Sequence, residues 1–248
     1  RRETCVAEAA RDHGLAAAQI EEWQRRFVRA GEEALRDEAL AASRCAWARS
    51  RWFAVALAAV CLLWLGLRVA YFNGYYTEDA PGYVTEAVDL ALGRYHAREY
   101  VTGLNVGTYL PVALPLAVFG KTEAALSIWP LACSLLGLLS LAGAARILFG
   151  DRAALLAGLL YATYPGDVFF STVVMPDAIQ AGWLTFSMYL VVSACAGPVR
   201  WRRWRLTAAG LAMGCCMLVR ANAAVLLPVG VVAVIVLARA CAGGTTLR

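Results

Sequence analysis

Two adjacent carboxylates, Glu78 and Asp79, are the residues of this chain best placed for acid–base chemistry. They follow the first long apolar segment, Trp52 to Phe72, by a few residues, which places them close to a membrane face. A carboxylate at that depth can take the proton from an incoming hydroxyl group or reach a phosphate at the membrane boundary. The simpler alternative is that Asp79 only caps a helix that starts at Ala80 and ends at Gly93. Capping would explain Asp79 but not its neighbour Glu78.

The stretch after the two acids has the spacing of an amphipathic helix. Its apolar residues recur at i, i+3, i+4, i+7 and i+8. They are Val84, Ala87, Val88, Ala91 and Leu92, and the opposite face carries Thr85, Glu86 and Asp89. We therefore predict a helix that lies along the bilayer surface in the first external loop.

The composition indicates a membrane protein. Hydrophobic residues make up 60% of the chain and charged residues only 17%, which is too apolar for a soluble domain of this length. The predicted fold is all-α, a polytopic α-helical membrane protein with a small helical cytosolic segment at its N-terminus. The eight cysteines show neither metal-binding spacing nor a CxxC motif. They lie in apolar runs or in predicted cytosolic segments, so we expect no disulfides.

Arginine placement predicts the topology, because basic residues prefer the cytoplasmic side. It puts the N-terminus inside and gives residues 51–248 about six spans in a bacterial inner membrane. The apolar run Thr108 to Gly120 contains two prolines and is shorter than a span, so we expect a re-entrant or surface element. Arg200 to Arg205 is expected to be a basic cytoplasmic loop that sets the topology, with lipid-headgroup binding as the alternative. Arg68 is expected to snorkel to the lipid headgroups, and contact with a lipid phosphate is the alternative.

Residues 1–50 form a separate segment. The run VAEAARDHGLAAAQIEEWQRRFVRAGEEALRD resembles the helix-turn-helix at the start of many bacterial transposases. Its glutamates offset its arginines, so no strong basic patch exists and we do not expect nucleic acid as a partner. A cytosolic helical extension or a gene-fusion remnant is the preferred interpretation, and a membrane-tethered DNA-binding protein is the alternative.

The predicted topology places six polar residues on one outer side of the membrane. They are Glu78, Asp79, Arg94, His96, Asp177 and Arg220. Polar residues at membrane depth are costly and usually face a cavity or a substrate. A guanidinium suits a phosphate group through bidentate hydrogen bonding. Two alternatives stay open: Asp177 could be a helix N-cap after Pro176, and Arg220 could anchor a helix end.

At this point the chain resembles a known family. The patterns EDAPGYVTEAVDLALGRY, GLNVGTYLPVALPLAVFGKTEAALSIWPL, ARILFGDRAALLAGLLYATYPGDVFFSTVVMPDAIQAGWLTFSMYLV and GLAMGCCMLVRANAAVLLP, in that order, are similar to the N-terminal half of GT-C fold glycosyltransferases. Those enzymes include protein O-mannosyltransferases and the lipid A aminoarabinose transferases. The resemblance implies a polyprenyl-phosphate sugar donor, a glycan, lipid or protein acceptor, transfer at the outer face and inversion at the anomeric carbon.

The resemblance also implies roles for particular residues. In the family, an acidic residue of the first external loop serves as base or acceptor contact, and the resemblance matches it to Asp79, with Glu78 beside it. The acidic residue of the second external loop is matched to Asp177. The arginine of a later span falls on Arg220, where Ala221 follows instead of the usual proline. Arg94 and His96 are predicted substrate contacts. No cofactor beyond the lipid-linked sugar is certain, and a divalent metal is left open.

The leading hypothesis is therefore a membrane glycosyltransferase. Members of that family usually have more spans, so we expect this chain to be truncated. The alternative is a non-catalytic membrane subunit or scaffold that assembles with a partner.

Overall fold

The computed structural model of the chain describes residues 51–74, 80–94 and 104–225, together with Glu22 and Arg26. Every regular element in these ranges is helical, which confirms the predicted all-α fold. Contacts divide the chain into two compact units, Arg1–Ala54 and Val55–Arg248. In the first unit Arg26 and Glu22 form an exposed ion pair of 2.9 Å, and the remainder of the predicted helix-turn-helix lies outside the described residues.

Eight α-helices follow one another in the described ranges. They are α1 (Arg51–Ala70), α2 (Ala80–Ala91), α3 (Val106–Phe119), α4 (Glu123–Phe149), α5 (Asp151–Thr163), α6 (Pro165–Phe170), α7 (Pro176–Ala196) and α8 (Val199–Val219), and a 3-10 turn continues at Ala221–Val225. Helices α1, α4 and α7 are long and apolar enough to cross a membrane, and they coincide with three of the predicted spans. The protein is thus an all-α membrane protein. The expected last span lies largely beyond residue 225, outside the described ranges.

Helices α4 and α7 pack closely because glycines, which have no side chain, lie at their contact. A Cβ atom at Gly182 of α7 would lie only 2.2 Å from the Cys133 carbonyl oxygen of α4. Further along, a Cβ atom at Gly143 of α4 would meet the Tyr189 ring of α7 at 2.8 Å. The contact further along α4 is also the one further along α7, so the two helices run parallel.

Helix α8 runs back along α7 in the opposite direction. The Ser187 hydroxyl of α7 donates to the Ala209 carbonyl of α8 at 2.9 Å, and the Cys216 thiol approaches the Gln180 carbonyl at 3.7 Å. The bundle therefore has two ends. We name them the Asp177 end, where α7 begins and α8 finishes, and the Arg200 end, where α7 finishes and α8 begins.

Helix α3 does not cross the bundle, because both of its ends lie at the Asp177 end. Near its start, a Cβ atom at Gly107 would be 2.8 Å from the Val219 backbone nitrogen, at the end of α8. After its last residue, Thr122 caps α4 by accepting a hydrogen bond from the Ala125 amide at 3.1 Å. The start of α4 is in turn tied to the segment before α7, since the Ser127 hydroxyl donates to the Thr172 carbonyl at 2.7 Å. The run therefore forms a helix of 14 residues with two internal prolines, and its re-entrant or surface placement stays a prediction.

Helix α2 forms where the periodicity predicts it, but its buried face is different. Gly93 ends the helix in the left-handed region, at φ +66°. The predicted polar face was wrong at Glu86, which is 2% exposed beside Tyr83 and Ala87. Leu92, predicted on the apolar stripe, is 43% exposed because the helix has already ended at Ala91. Tyr83 and Ala87 join the apolar core that α3 helps to form, so the buried face of α2 packs against protein.

Arg68 does not snorkel to the headgroups. Its side chain is 1% exposed and forms a buried ion pair with Asp167, 99 residues further along the chain. The guanidinium also donates to the carbonyls of Trp64 at 3.0 Å and Ala162 at 2.9 Å, and it lies over the Trp64 ring, 4.7 Å from the ring centroid. The expectation was wrong because the segment between α5 and α7 supplies a carboxylate inside the protein. This pair links the last turn of α1 to α5 and α6.

The basic segment Arg200 to Arg205 is not a loop, as was expected, but the first part of α8. The connection from α7 is only Gly197 and Pro198, and Pro198 occupies the N-cap position. A proline fits the start of a helix, so α8 begins as soon as the chain has turned.

Candidate functional site

Asp177 lies in the first turn of α7, directly after Pro176. The N-cap interpretation was wrong, because Met175 holds the N-cap position and no side-chain capping bond is made there. The Asp177 carboxylate instead accepts a hydrogen bond from Arg220, with 3.3 Å between Oδ1 and Nη1. Two residues that the sequence analysis placed in one site, 43 positions apart, are thus in direct contact.

Arg220 ends α8 in an extended conformation, at φ −157° and ψ 119°. Its backbone N–H still donates to the Cys216 carbonyl at 3.2 Å, so the position of the residue is fixed by the helix. The 3-10 turn that follows brings Asn222 to α7, where its side-chain oxygen accepts a hydrogen bond from Gln180 at 3.2 Å. Two polar contacts therefore join the start of α7 to the end of α8.

The Asp177–Arg220 pair is open to its surroundings. The side chains are 43% and 45% exposed, respectively. An exposed pair of this kind contributes about 0–1 kcal/mol to stability, so stability alone is a weak reason to place it here. A guanidinium has five N–H donors, and the contact with Asp177 occupies one, which leaves donors for an anionic ligand. The arrangement offers a cation and a carboxylate side by side at one end of the bundle.

The helix that follows Glu78 and Asp79 lies at this same end. Its Tyr83 hydroxyl accepts a hydrogen bond from the Asn105 side chain at 2.8 Å, just before α3. Helix α3 then reaches α8, where the Thr108 hydroxyl donates to the Val219 carbonyl at 3.3 Å, one residue before Arg220. The start of α2 is thereby connected through α3 to the end of α8. Glu78 and Asp79 themselves fall outside the described ranges.

Of the other two predicted substrate contacts, Arg94 is described by the structure, and it is not joined to this pair. Arg94 is exposed just after Gly93, at the far end of a helix of 12 residues, or roughly 18 Å, from Ala80. Within the described part of the chain, no hydrogen bond or ion pair connects Arg94 with Asp177 or Arg220. His96 is not among the described residues.

Sequence reasoning missed Gln180 and Asn222. Gln180 stands one helical turn after Asp177, on the same side of α7, and Asn222 stands two residues after Arg220. These spacings were available from the sequence, but neither residue titrates, so a search for charged groups passed over both. No group of three metal-ligating side chains occurs within the described ranges. The metal prediction stays open, because Glu78, Asp79 and His96 lie elsewhere.

An apolar groove opens at the Asp177 end between the last turn of α1 and the junction of α5 with α6. Its volume is about 450 Å³. The lining residues are Leu67, Tyr71, Asn73, Thr163, Pro165, Val168 and Phe169. Such a groove suits a hydrocarbon chain better than a polar ligand.

Membrane-spanning helices that carry a carboxylate–guanidinium pair at one end fit a membrane glycosyltransferase of the GT-C type. The sequence comparison defines the family: residues 107–243 match dolichyl-phosphate-mannose-protein mannosyltransferase, and the chain belongs to that family. The matched region includes Asp177 and Arg220 and begins after Glu78 and Asp79. Neither a curated protein nor a solved structure gives a match.

Proposed function

We propose that this protein transfers a sugar from a polyprenyl-phosphate donor to an acceptor hydroxyl group at the Asp177 end of the bundle, with inversion at the anomeric carbon. The family membership supports a sugar carried on a lipid phosphate. The Asp177–Arg220 contact is the observation that carries the proposal, because it places a phosphate-binding cation beside a hydrogen-bond acceptor for sugar hydroxyls.

In the proposed reaction Asp79 takes the proton from the acceptor hydroxyl, which belongs to a glycan, a lipid or a protein. The acceptor oxygen forms a bond to the anomeric carbon as the bond from that carbon to the phosphate oxygen breaks. The electron pair leaves with the polyprenyl phosphate. Arg220 stabilises the charge that develops on this phosphate, and Asp177 binds hydroxyls of the transferred sugar. Glu78 supplies a second carboxylate next to the base.

The groove beside α1 is the proposed site for the polyprenyl chain. It is lined mainly by apolar side chains, and it opens at the same end as the Asp177–Arg220 pair. A hydrocarbon chain held there would leave its phosphate at the membrane boundary, the depth at which a half-exposed arginine can bind it.

The first test is donor binding by the full chain in phospholipid nanodiscs, with radiolabelled dolichyl-phosphate-mannose as the probe. Hydrogen bonds to charged groups contribute roughly 1.5–3 kcal/mol, so Arg220→Gln should weaken binding about tenfold to a hundredfold. The matched control is the ion pair of Arg146 and Asp151, 2.8 Å apart and partly exposed. Arg146→Gln should leave donor binding unchanged.

Two results would count against the proposal. One is wild-type donor affinity in Arg220→Gln. The other is a wild-type chain that does not bind the donor at all, which favours the non-catalytic scaffold.

The second test separates chemistry from binding. Asp79→Asn should retain donor affinity and lower sugar transfer by about 10²–10⁴-fold, the usual contribution of a positioned general base. Asp151→Asn is the control for loss of a carboxylate. Transfer at the wild-type rate in Asp79→Asn would remove Asp79 from the mechanism.

A further inference from the structure

The two ends of α8 differ sharply in charge. The chain contains no Asp or Glu after Asp177, so no acid of α8 or of the following residues offsets its arginines. Four of these arginines fall within six residues at the Arg200 end, namely Arg200, Arg202, Arg203 and Arg205. This end therefore carries a local positive charge that nothing in the reaction proposed above uses.

A groove of about 340 Å³ lies beside these arginines, between α7 and α8. Leu190 lines it from α7, and α8 lines it with Trp201, Trp204, Arg205 and Ala208. The four α8 residues are spaced i, i+3, i+4 and i+7, so they form one helical face. The tryptophans are 48% and 70% exposed, which is typical of side chains at a membrane–water interface.

Arg205 is held in place at this groove. Its Nη1 donates to the Ser193 carbonyl at the end of α7, at 2.5 Å. Gly197 makes room for this contact, since a Cβ atom there would lie 1.9 Å from Nη1. One of five guanidinium donors is used, and the rest suit a phosphate group. Arg200 does not line the groove itself, but its guanidinium carbon lies over the ring of the groove-lining Trp201, 5.3 Å from the ring centroid.

The groove is separate from the candidate active site. Helix α8 has 21 residues, a length of roughly 31 Å, close to the hydrocarbon thickness of a bilayer. Arg220 marks one end of this helix and Arg200 begins the other. A lipid at the Arg200 end would therefore enter from the opposite bilayer surface to the proposed sugar donor.

We propose that the Arg200 end carries a binding site for an anionic phospholipid of the bilayer. Arg200 and Arg205 hold the headgroup phosphate, and an acyl chain lies in the groove against Leu190, Trp204 and Ala208. Charge selects the anionic headgroup, and the groove selects a lipid over a soluble phosphate. The occupant stabilises the contact between α7 and α8 from the surface opposite to the Asp177–Arg220 pair.

The test is native mass spectrometry of the full chain in detergent, titrated with phosphatidylglycerol or with phosphatidylcholine of the same acyl chains. Each arginine near a lipid surface contributes about 1 kcal/mol, so Arg205→Gln should weaken phosphatidylglycerol binding about fivefold and Arg200→Gln with Arg205→Gln about thirtyfold. Arg203→Gln is the matched control, because Arg203 does not line the groove and lies roughly 160° around the helix from both Trp201 and Arg205, whereas Arg200 lies over the Trp201 ring. It removes the same charge and should leave binding unchanged.

A second variant guards against misfolding. Trp204 is 70% exposed, so Trp204→Ala leaves the packed core intact and should still reduce phosphatidylglycerol binding through loss of the groove wall. An unfolding measurement in detergent confirms that each variant is folded.

Equal binding of the two lipids would overturn the proposal, and so would an equal loss in Arg203→Gln, which would indicate only net charge. Displacement of the lipid by glycerol phosphate at comparable concentration would show a simple phosphate site instead. None of these outcomes depends on sugar transfer.

Discussion

Removal of either member of the buried pair of Arg68 and Asp167 should destabilise the bundle strongly, and by unequal amounts. Breaking a buried ion pair from one side costs about 3–5 kcal/mol, because a charge is left without its partner. Asp167→Leu leaves Arg68 with two carbonyl contacts, and these cannot neutralise it. Arg68→Leu leaves Asp167 with hydroxyl donors from Ser134 at 2.5 Å and Tyr161 at 3.2 Å. We therefore expect Asp167→Leu near the top of that range and Arg68→Leu near the bottom.

The double variant is the sharper measurement. Replacing both partners with leucine removes both charges, and such replacements are often neutral or stabilising. The combined loss should be smaller than the sum of the two single losses by at least about 2 kcal/mol, within the range seen for directly interacting groups. The assay is equilibrium unfolding of the full chain by sodium dodecyl sulfate in mixed micelles, followed by circular dichroism. Arg146→Leu, in the partly exposed pair with Asp151, should cost less than about 1 kcal/mol.

Two findings would refute this reasoning. The first is a loss in Arg68→Leu no larger than in Arg146→Leu. The second is strict additivity of Arg68→Leu and Asp167→Leu, which would mean that the two side chains do not interact in the folded protein.

Two glycine substitutions test the packing that positions the candidate site. Gly182→Ala should cost roughly 1–3 kcal/mol in the same unfolding assay, because its Cβ would meet the Cys133 backbone. The control is Gly210→Ala, whose Cβ would have nothing within 4 Å and which should be neutral or slightly stabilising. Equal effects of the two substitutions would place the α4–α7 contact elsewhere. Gly107→Ala would press against the Val219 backbone and should weaken dolichyl-phosphate-mannose binding more than it lowers stability, since Arg220 is the next residue. Unchanged donor affinity in Gly107→Ala would mean that α3 does not position Arg220.

Local signals in the sequence predicted local structure well. The end of α2 near Gly93 follows from neighbouring residues, because a helix C-cap depends on the chain within one turn. The two prolines and the short length of the α3 run likewise set it apart from the predicted spans, and its helix has only 14 residues. In each case the deciding interactions are between residues close in sequence.

Long-range contacts were beyond the sequence. Nothing near Arg68 in the sequence indicates that its partner lies 99 positions later. The prediction therefore rested on the general tendency of arginine side chains in membrane proteins to snorkel to the lipid headgroups. The burial of Glu86 depends on where α3 packs, which helical periodicity does not specify. The N-cap interpretation of Asp177 failed for a local reason, since α7 begins at Pro176 and Met175 holds the N-cap position. Polar residues were misplaced wherever a distant element supplied their partner.

At the candidate site, the sequence predicted most where few residues could perform the required chemistry. Asp177 is the one acid that follows Asp167 in the sequence, and the family resemblance singled out Arg220 among the seven arginines of the same stretch. The structure brings these two together. It does not test the roles assigned to them or to Glu78, Asp79, Arg94 and His96, and all of these roles stay predictions.

Under the proposed function, the contact between Asp177 and Arg220 has a consequence for turnover. In the resting protein the Asp177 carboxylate holds one of the five guanidinium donors of Arg220, so an incoming ligand meets two groups that already contact each other. An intact sugar donor can satisfy both partners at once, with phosphate on the guanidinium and hydroxyls on the carboxylate. The spent lipid phosphate satisfies only one of them, and the freed carboxylate then draws the arginine back. Closure of the pair would favour release of the used carrier over its retention.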